Sequence, residues 1–211
     1  MNIQWAGLAC FKIEGETATI VADPYGPEAG LKLPKLKAHA VLASSDQPLH
    51  SAVRSVEGLE GMPRLIPGAG EYEVREALIY GIEVPPSAKR QRQVIFRLQL
   101  DGLTLVHLGA IGNSLDQAVL EHLDKTDIVF VPVGGGTSLN AEAAVQLVNQ
   151  IEPRIVIPMW YKIPGIKLHL DGLESFLKEL GIRPEAALPK LKIGKKDLPS
   201  EDMKVIILEP L

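Results

Sequence analysis

The sequence predicts an α/β protein in which mixed sheets pack on one another and carry helices outside. Two observations predict it: the first half breaks into short apolar strands separated by turn residues, and the second half alternates strand with helix. A third sets the scale, because 211 residues with a 46% hydrophobic share suffice for one large buried core. Residues 1–211 are therefore expected to form a single domain.

Strands are expected at Ile3 to Trp5, at Cys10 to Glu14, and at Ala18 to Ala22, where Asp23-Pro24 ends the ladder because proline has no N–H to donate. A loop from Tyr25 to Lys37, rich in Gly, Pro and Lys, leads to the strand Ala40 to Ala43 and a short helix over Pro48 to Val56. Gly68 and Gly70 punctuate a turn before the strands Glu71 to Val74 and Ala77 to Val84.

A hairpin over Val94 to Leu108 follows from the alternation of Val94, Phe96, Leu98 and Leu100 with Arg97 and Gln99. Asp101-Gly102 supplies its two-residue turn, since both central positions of a type I′ turn need positive φ. A helix is expected over Ser114 to Leu123, then a strand over Ile128 to Val133, whose unbroken apolar run suits burial on both faces. Asn140 is placed to cap a helix that buries Ala144, Leu147, Val148 and Ile151. After the strand Arg154 to Pro158, Asp171 with Glu174 predicts the opening of a helix that buries Leu173, Phe176, Leu177 and Leu180 and stops at Gly181. A last strand is expected at Val205 to Leu208.

Charge excludes some functions. A net charge of −4 and a pI near 5.8 give no field that would gather nucleic acid or an anionic membrane, so neither is expected as a partner. No segment approaches the ~20 apolar residues of a membrane span, and the start lacks a basic stretch followed by an apolar run. A cytoplasmic location is expected. Cys10, the only cysteine, sits between Ala9 and Phe11 and reads as a buried small hydrophobe rather than a reactive thiol.

Several stretches in order resemble the metallo-β-lactamase superfamily, in its branch of small metal-dependent hydrolases related to ascorbate lactonases. They are Ile3-Gln4-Trp5-Ala6-Gly7 running into Cys10-Phe11, the strand end Asp23-Pro24, Gly68 to Val74, His107-Leu108-Gly109, Val131-Pro132-Val133-Gly134-Gly135, and Ile157-Pro158-Met159 followed by Tyr161. The resemblance implies a four-layer αββα sandwich with its site on the loops at one edge of the two sheets. It also implies a ligand set for zinc or another divalent metal, beginning with Ser/Thr-His-x-His-x-Asp-His. Here that stretch reads Ser44-Ser45-Asp46-Gln47-Pro48-Leu49-His50. The implied ligand positions are thus held by Ser45, Gln47, Leu49 and His50, with Ala110 for the bridging aspartate, Trp160 for the last histidine and Leu8 for an early one. Pro85 to Arg92 contains no histidine where another is implied.

A catalytic zinc takes about three protein ligands plus water, and one imidazole does not supply them. The residues therefore predict no metal, no cofactor and a pseudoenzyme with a degenerate metal site, acting as a binding module for an unidentified small molecule or protein. Trp160, with Leu49 and Leu8, is expected to fill the space of the implied cations. The alternative is a lactonase- or esterase-like hydrolase with a rebuilt site around His50. It would use Ser45 or Asp46 with His50, or one weakly held ion among Asp23, Asp46, His50 and His107. Gly134-Gly135-Gly136 reads as a tight turn, Lys89 to Arg92 as a solvated loop, and a homo-oligomer stays open.

Overall fold

In a computed structural model, residues 1–85 and 93–211 are described, and the expected solvated loop at Lys89 to Arg92 lies outside them. The first half holds strands β1 (Asn2–Gly7), β2 (Cys10–Glu14), β3 (Thr19–Ala22), β4 (Leu36–Ala38), β5 (Ala40–Leu42), β6 (Val56–Gly58), β7 (Arg64–Ile66), β8 (Gly70–Val74) and β9 (Ala77–Val84). The second holds β10 (Gln93–Leu100), β11 (Leu103–His107), helix α1 (Gln117–Glu121), β12 (Ile128–Pro132), α2 (Ala141–Ile151), β13 (Ile155–Met159), α3 (Leu173–Glu179), β14 (Leu191–Lys192) and β15 (Lys204–Val205).

Two sheets form the centre of this αββα sandwich. One runs β14-β1-β2-β3-β5-β7 and the other β15-β13-β12-β11-β10-β9-β8, with β4 and β6 pairing separately. The strands joined by hairpins pair antiparallel, as β14 also does with β1, while β3, β5 and β7 run parallel, as do β11, β12, β13 and β15. One apolar cluster links them, with Ile3, Phe11 and Ile20 of the first sheet buried alongside Phe96, Phe130 and Ile157 of the second. Every residue of β12 and of β13 is buried, which explains why those strands read as unbroken apolar runs.

Local signals were uneven guides. The β10–β11 hairpin turns at Asp101 (φ 52°) and Gly102 (φ 74°), and Asn140 caps α2 by accepting the Ala143 N–H at 2.9 Å. Gly135 and Gly136 take positive φ in the expected turn. The helix expected over Ser114 to Leu123 shortens to α1, because Asp116 caps it by accepting from Val119 N at 2.9 Å. The helix expected over Pro48 to Val56 is a single 3-10 turn, Val53–Ser55, followed at once by β6. Asp171 does not cap α3. Gly172 occupies that position without a side-chain bond, while Asp171 donates its N–H to Gly134 O and accepts from Lys162 N, fastening the loop before α3 to the end of β12.

Candidate functional site

Three strand ends meet at one edge of the sandwich, and each turns there through a left-handed residue. Leu8 (φ 50°) joins β1 to β2, Asp23 (φ 44°) follows β3, and Trp160 (φ 56°) follows β13. Such a backbone costs a non-glycine residue about 1–3 kcal/mol and is most unusual for bulky side chains. Asp23 tolerates it better, because short polar side chains bond locally. Trp160 is held by main-chain bonds on both sides: its N–H donates to Leu8 O at 3.1 Å, and its carbonyl accepts Gly134 N at 3.0 Å. A Cβ on Gly134 would meet that carbonyl at 2.3 Å, so glycine is what lets the two strand ends approach.

Asp23 is fully buried and bonded at both oxygens. Oδ1 accepts the Ser44 backbone N–H at 2.7 Å; Oδ2 accepts the Ser44 hydroxyl at 2.5 Å and His50 Nδ1 at 2.9 Å. Burial on its own would raise this carboxyl, but the adjacent His50, reinforced by its hydrogen bond, by His107 and by Ser44, holds it below the ordinary carboxylate range. Asp23 is thus the ionised partner that a buried imidazole needs, and removing one member of such a pair costs about 3–5 kcal/mol.

With Asp23 ionised, Nδ1 of His50 carries the proton it donates. Ser44 Oγ lies 3.4 Å from the same nitrogen and gives its own proton to Asp23, so Ser44 positions the acid rather than forming a serine–imidazole nucleophile pair. Nε2 of His50 has no hydrogen bond among the described residues. The imidazole lies face to face with the Trp160 indole, ring centroids 5.0 Å apart and planes 10° from parallel. Trp160 is 1% exposed, and its indole N–H is a buried donor with no acceptor among the described residues. An unmet donor of this kind costs about 1–3 kcal/mol.

His107 is occupied elsewhere. Its Nε2 donates to Ala9 O at 2.8 Å and its Nδ1 accepts Gly109 N at 3.3 Å, so both ring nitrogens are engaged. Burial pushes it below the usual histidine range, against the opposing pull of Asp23 and the Ala9 carbonyl.

The residues singled out from sequence separate into two groups. His50 and Trp160 come together, and Leu8 is buried and accepts the Trp160 main-chain N–H. Leu49 is half-buried against the core. Ala110 is buried, with its carbonyl accepting from Gln93 Nε2 at 3.1 Å. Ser45 accepts the Gln47 N–H at 3.2 Å, and Asp46 and Gln47 are exposed; no side chain of these three bonds to His50 among the described residues. The partners of His50 are instead Asp23 and Ser44. Asp23 was visible as an acid before a proline at a strand end, whereas nothing distinguished Ser44 from the serine beside it.

The model of the β-lactamase superfamily domain matches residues 2–160. A Methanoculleus marisnigri protein named metal-dependent hydrolase is 26% identical over 84% of this chain and 89% of its own length. A Methanopyrus kandleri protein of the same name is 24% identical over 100% and 97%. A solved structure from Thermotoga maritima, described as a zinc-dependent hydrolase of the metallo-β-lactamase superfamily, is 28% identical with a TM-score of 0.79 and covers 98% of both chains.

These relatives correct two expectations. The reading as a pseudoenzyme with a degenerate metal site, and the expectation of no cofactor, are overturned by full-length relatives named metal-dependent hydrolases. Both rested on residue types at single positions, and such a count overlooks a buried acid delivered to His50 from another strand. The donors on view still do not fit a catalytic cation. Among the described residues no three His, Cys, Asp or Glu side chains are grouped to hold one, and Asp23 Oδ2 is shared between His50 and Ser44. The relatives' names and this donor set therefore differ. Among the described residues no helix is long and apolar enough to cross a membrane.

Proposed function

Because this chain belongs to the β-lactamase superfamily, we propose that it is a hydrolase of lactone- or ester-type acyl compounds in which Asp23 and His50 together activate water. One observation carries the reading: His50 bonds Asp23 through Nδ1 at 2.9 Å and leaves Nε2 without a partner among the described residues. An ionised acid at Nδ1 fixes the tautomer and stabilises the imidazolium that forms when Nε2 takes a proton.

In the step this supports, Nε2 removes a proton from water as the water oxygen bonds to the acyl carbon. The same proton returns from Nε2 to the alkoxide oxygen as the acyl C–O bond breaks, leaving an acid and an alcohol. Ser44 keeps Asp23 aimed at Nδ1 throughout, and the Trp160 face holds the imidazole plane. The relatives' names add weight to hydrolysis as the reaction class.

The test is turnover of a lactone and ester panel by the full chain, as purified and with zinc or manganese added. His50→Ala should lower kcat/KM by about 10²- to 10⁴-fold, the usual worth of a general base. Turnover by His50→Ala at the parent rate would sink the proposal, and so would a parent that hydrolyses nothing under any of these conditions.

A further inference from the structure

The polar groups around His50 are almost all spoken for. Asp23 is bonded at both oxygens, Ser44 gives its proton to Asp23, and His107 uses both ring nitrogens. The indole N–H of Trp160 is the exception: buried, it meets no acceptor among the described residues.

Trp5 provides an internal comparison. It is equally buried at 1% exposure, yet its indole N–H donates to Leu8 O at 2.9 Å. The same Leu8 carbonyl takes the main-chain N–H of Trp160, so the two tryptophans are anchored at one point and only one has its side-chain donor satisfied.

His50 does not satisfy it either. An indole N–H lies in the ring plane, and that plane is within 10° of parallel to the imidazole. The donor therefore runs alongside the imidazole face and not into it, which excludes an N–H···π contact with His50. An atom accepting from Trp160 would lie near the plane of the indole, the ring that stacks on His50. Trp160 also keeps a left-handed backbone although its side chain is bulky, and strain of that kind gathers where a ligand is held.

We propose that the Trp160 indole N–H is a ligand-anchoring donor, taking a carbonyl or carboxylate oxygen of the acyl compound handled at His50. An indole has a donor and no acceptor, so the group it recognises is an oxygen acceptor and not a hydroxyl hydrogen or an ammonium. This rests on the hydrolase reading for its choice of ligand, but its readout does not depend on turnover.

The protein has two tryptophans, so tryptophan-selective 15N labelling of the full chain gives two indole N–H signals, assigned by Trp160→Phe or, if that variant does not fold, by Trp5→Phe. The probes are γ-butyrolactone and its ring-opened acid 4-hydroxybutyrate. The expected result is a downfield move of the Trp160 signal with either probe while the Trp5 signal stays, and a kcat/KM for lactone lowered by about 10²-fold in Trp160→Phe, the typical cost of one lost oxyanion donor. A Trp160 signal unmoved by both probes, including one already hydrogen-bonded to water alone, would overturn the proposal. A parent that hydrolyses nothing while its Trp160 signal follows 4-hydroxybutyrate removes the hydrolase reading and leaves the donor in place. A working hydrolase whose Trp160 signal ignores both probes does the reverse.

Discussion

Gly109 lies so close to Ser44 that a Cβ built on the glycine would stand 2.5 Å from the serine hydroxyl oxygen and 2.8 Å from its Cβ. Its φ of 61° adds a conformational reason for the absence of a side chain. Gly109→Ala should therefore displace Ser44 from Asp23 and cost about 1–3 kcal/mol. Urea unfolding measures the loss, and a variant as stable as the parent would show that the contact yields freely.

Asp23→Asn nearly preserves shape but removes the charge that fixes the His50 tautomer. Hydrolysis should fall by about 10²- to 10⁴-fold, as expected when a dyad loses its acid. Asp46→Asn is the control, because Asp46 is exposed and outside the network, and its stability should change by less than about 0.5 kcal/mol. Equal rates for Asp23→Asn and the parent would exclude the dyad.

Acid should unfold the protein in two stages. His107 is held below its ordinary range, so its contribution is complete above about pH 6.5 and is lost as pH falls toward its folded value. Asp23 is also held low; its contribution is complete above about pH 3.9 and disappears as pH drops through its folded value. Both signs agree, so neither group weakens the fold on the alkaline side. Denaturation midpoints followed downward from about pH 8 should decline first through His107, and His107→Gln should flatten that first decline. An unchanged slope in His107→Gln would reject the assignment.

Helix caps offer a comparison between two residues that look alike in sequence. Asn140→Ala should cost about 1 kcal/mol, because its side chain satisfies the Ala143 N–H. Asp171→Ala should cost α3 no cap bond, since Gly172 holds that position. Equal losses in thermal unfolding would contradict this.

Most of the longer strands were legible because their signals are local, whereas the short strands β4, β6, β7 and β14 were not foreseen and the strand expected at Val205 to Leu208 is only Lys204–Val205. An unbroken apolar run such as Ile128–Pro132 states its burial directly, and Asp101-Gly102 states its turn. Segments whose shape is set by distant partners were not legible: the stretch after Pro48 gave up its expected helix, and there His50 turns to Asp23, 27 positions earlier. The same limit governed the site. His50 and Trp160 stood out by type, but Ser44 and Ser45 are chemically identical neighbours, and the pairing of β3 with β5, which sets Ser44 beside Asp23, is not written in either serine. Counting residue types at implied ligand positions led to the pseudoenzyme reading that the relatives correct.

The hydrogen bond from His107 to the Ala9 carbonyl crosses from the seven-stranded sheet to the turn between β1 and β2 of the six-stranded one. It works as a rivet: one sheet cannot shear past the other without stranding a buried imidazole N–H. The loop segment 45–49, where Asp46, Gln47 and Pro48 are exposed, carries no such tie between the two slabs among the described residues.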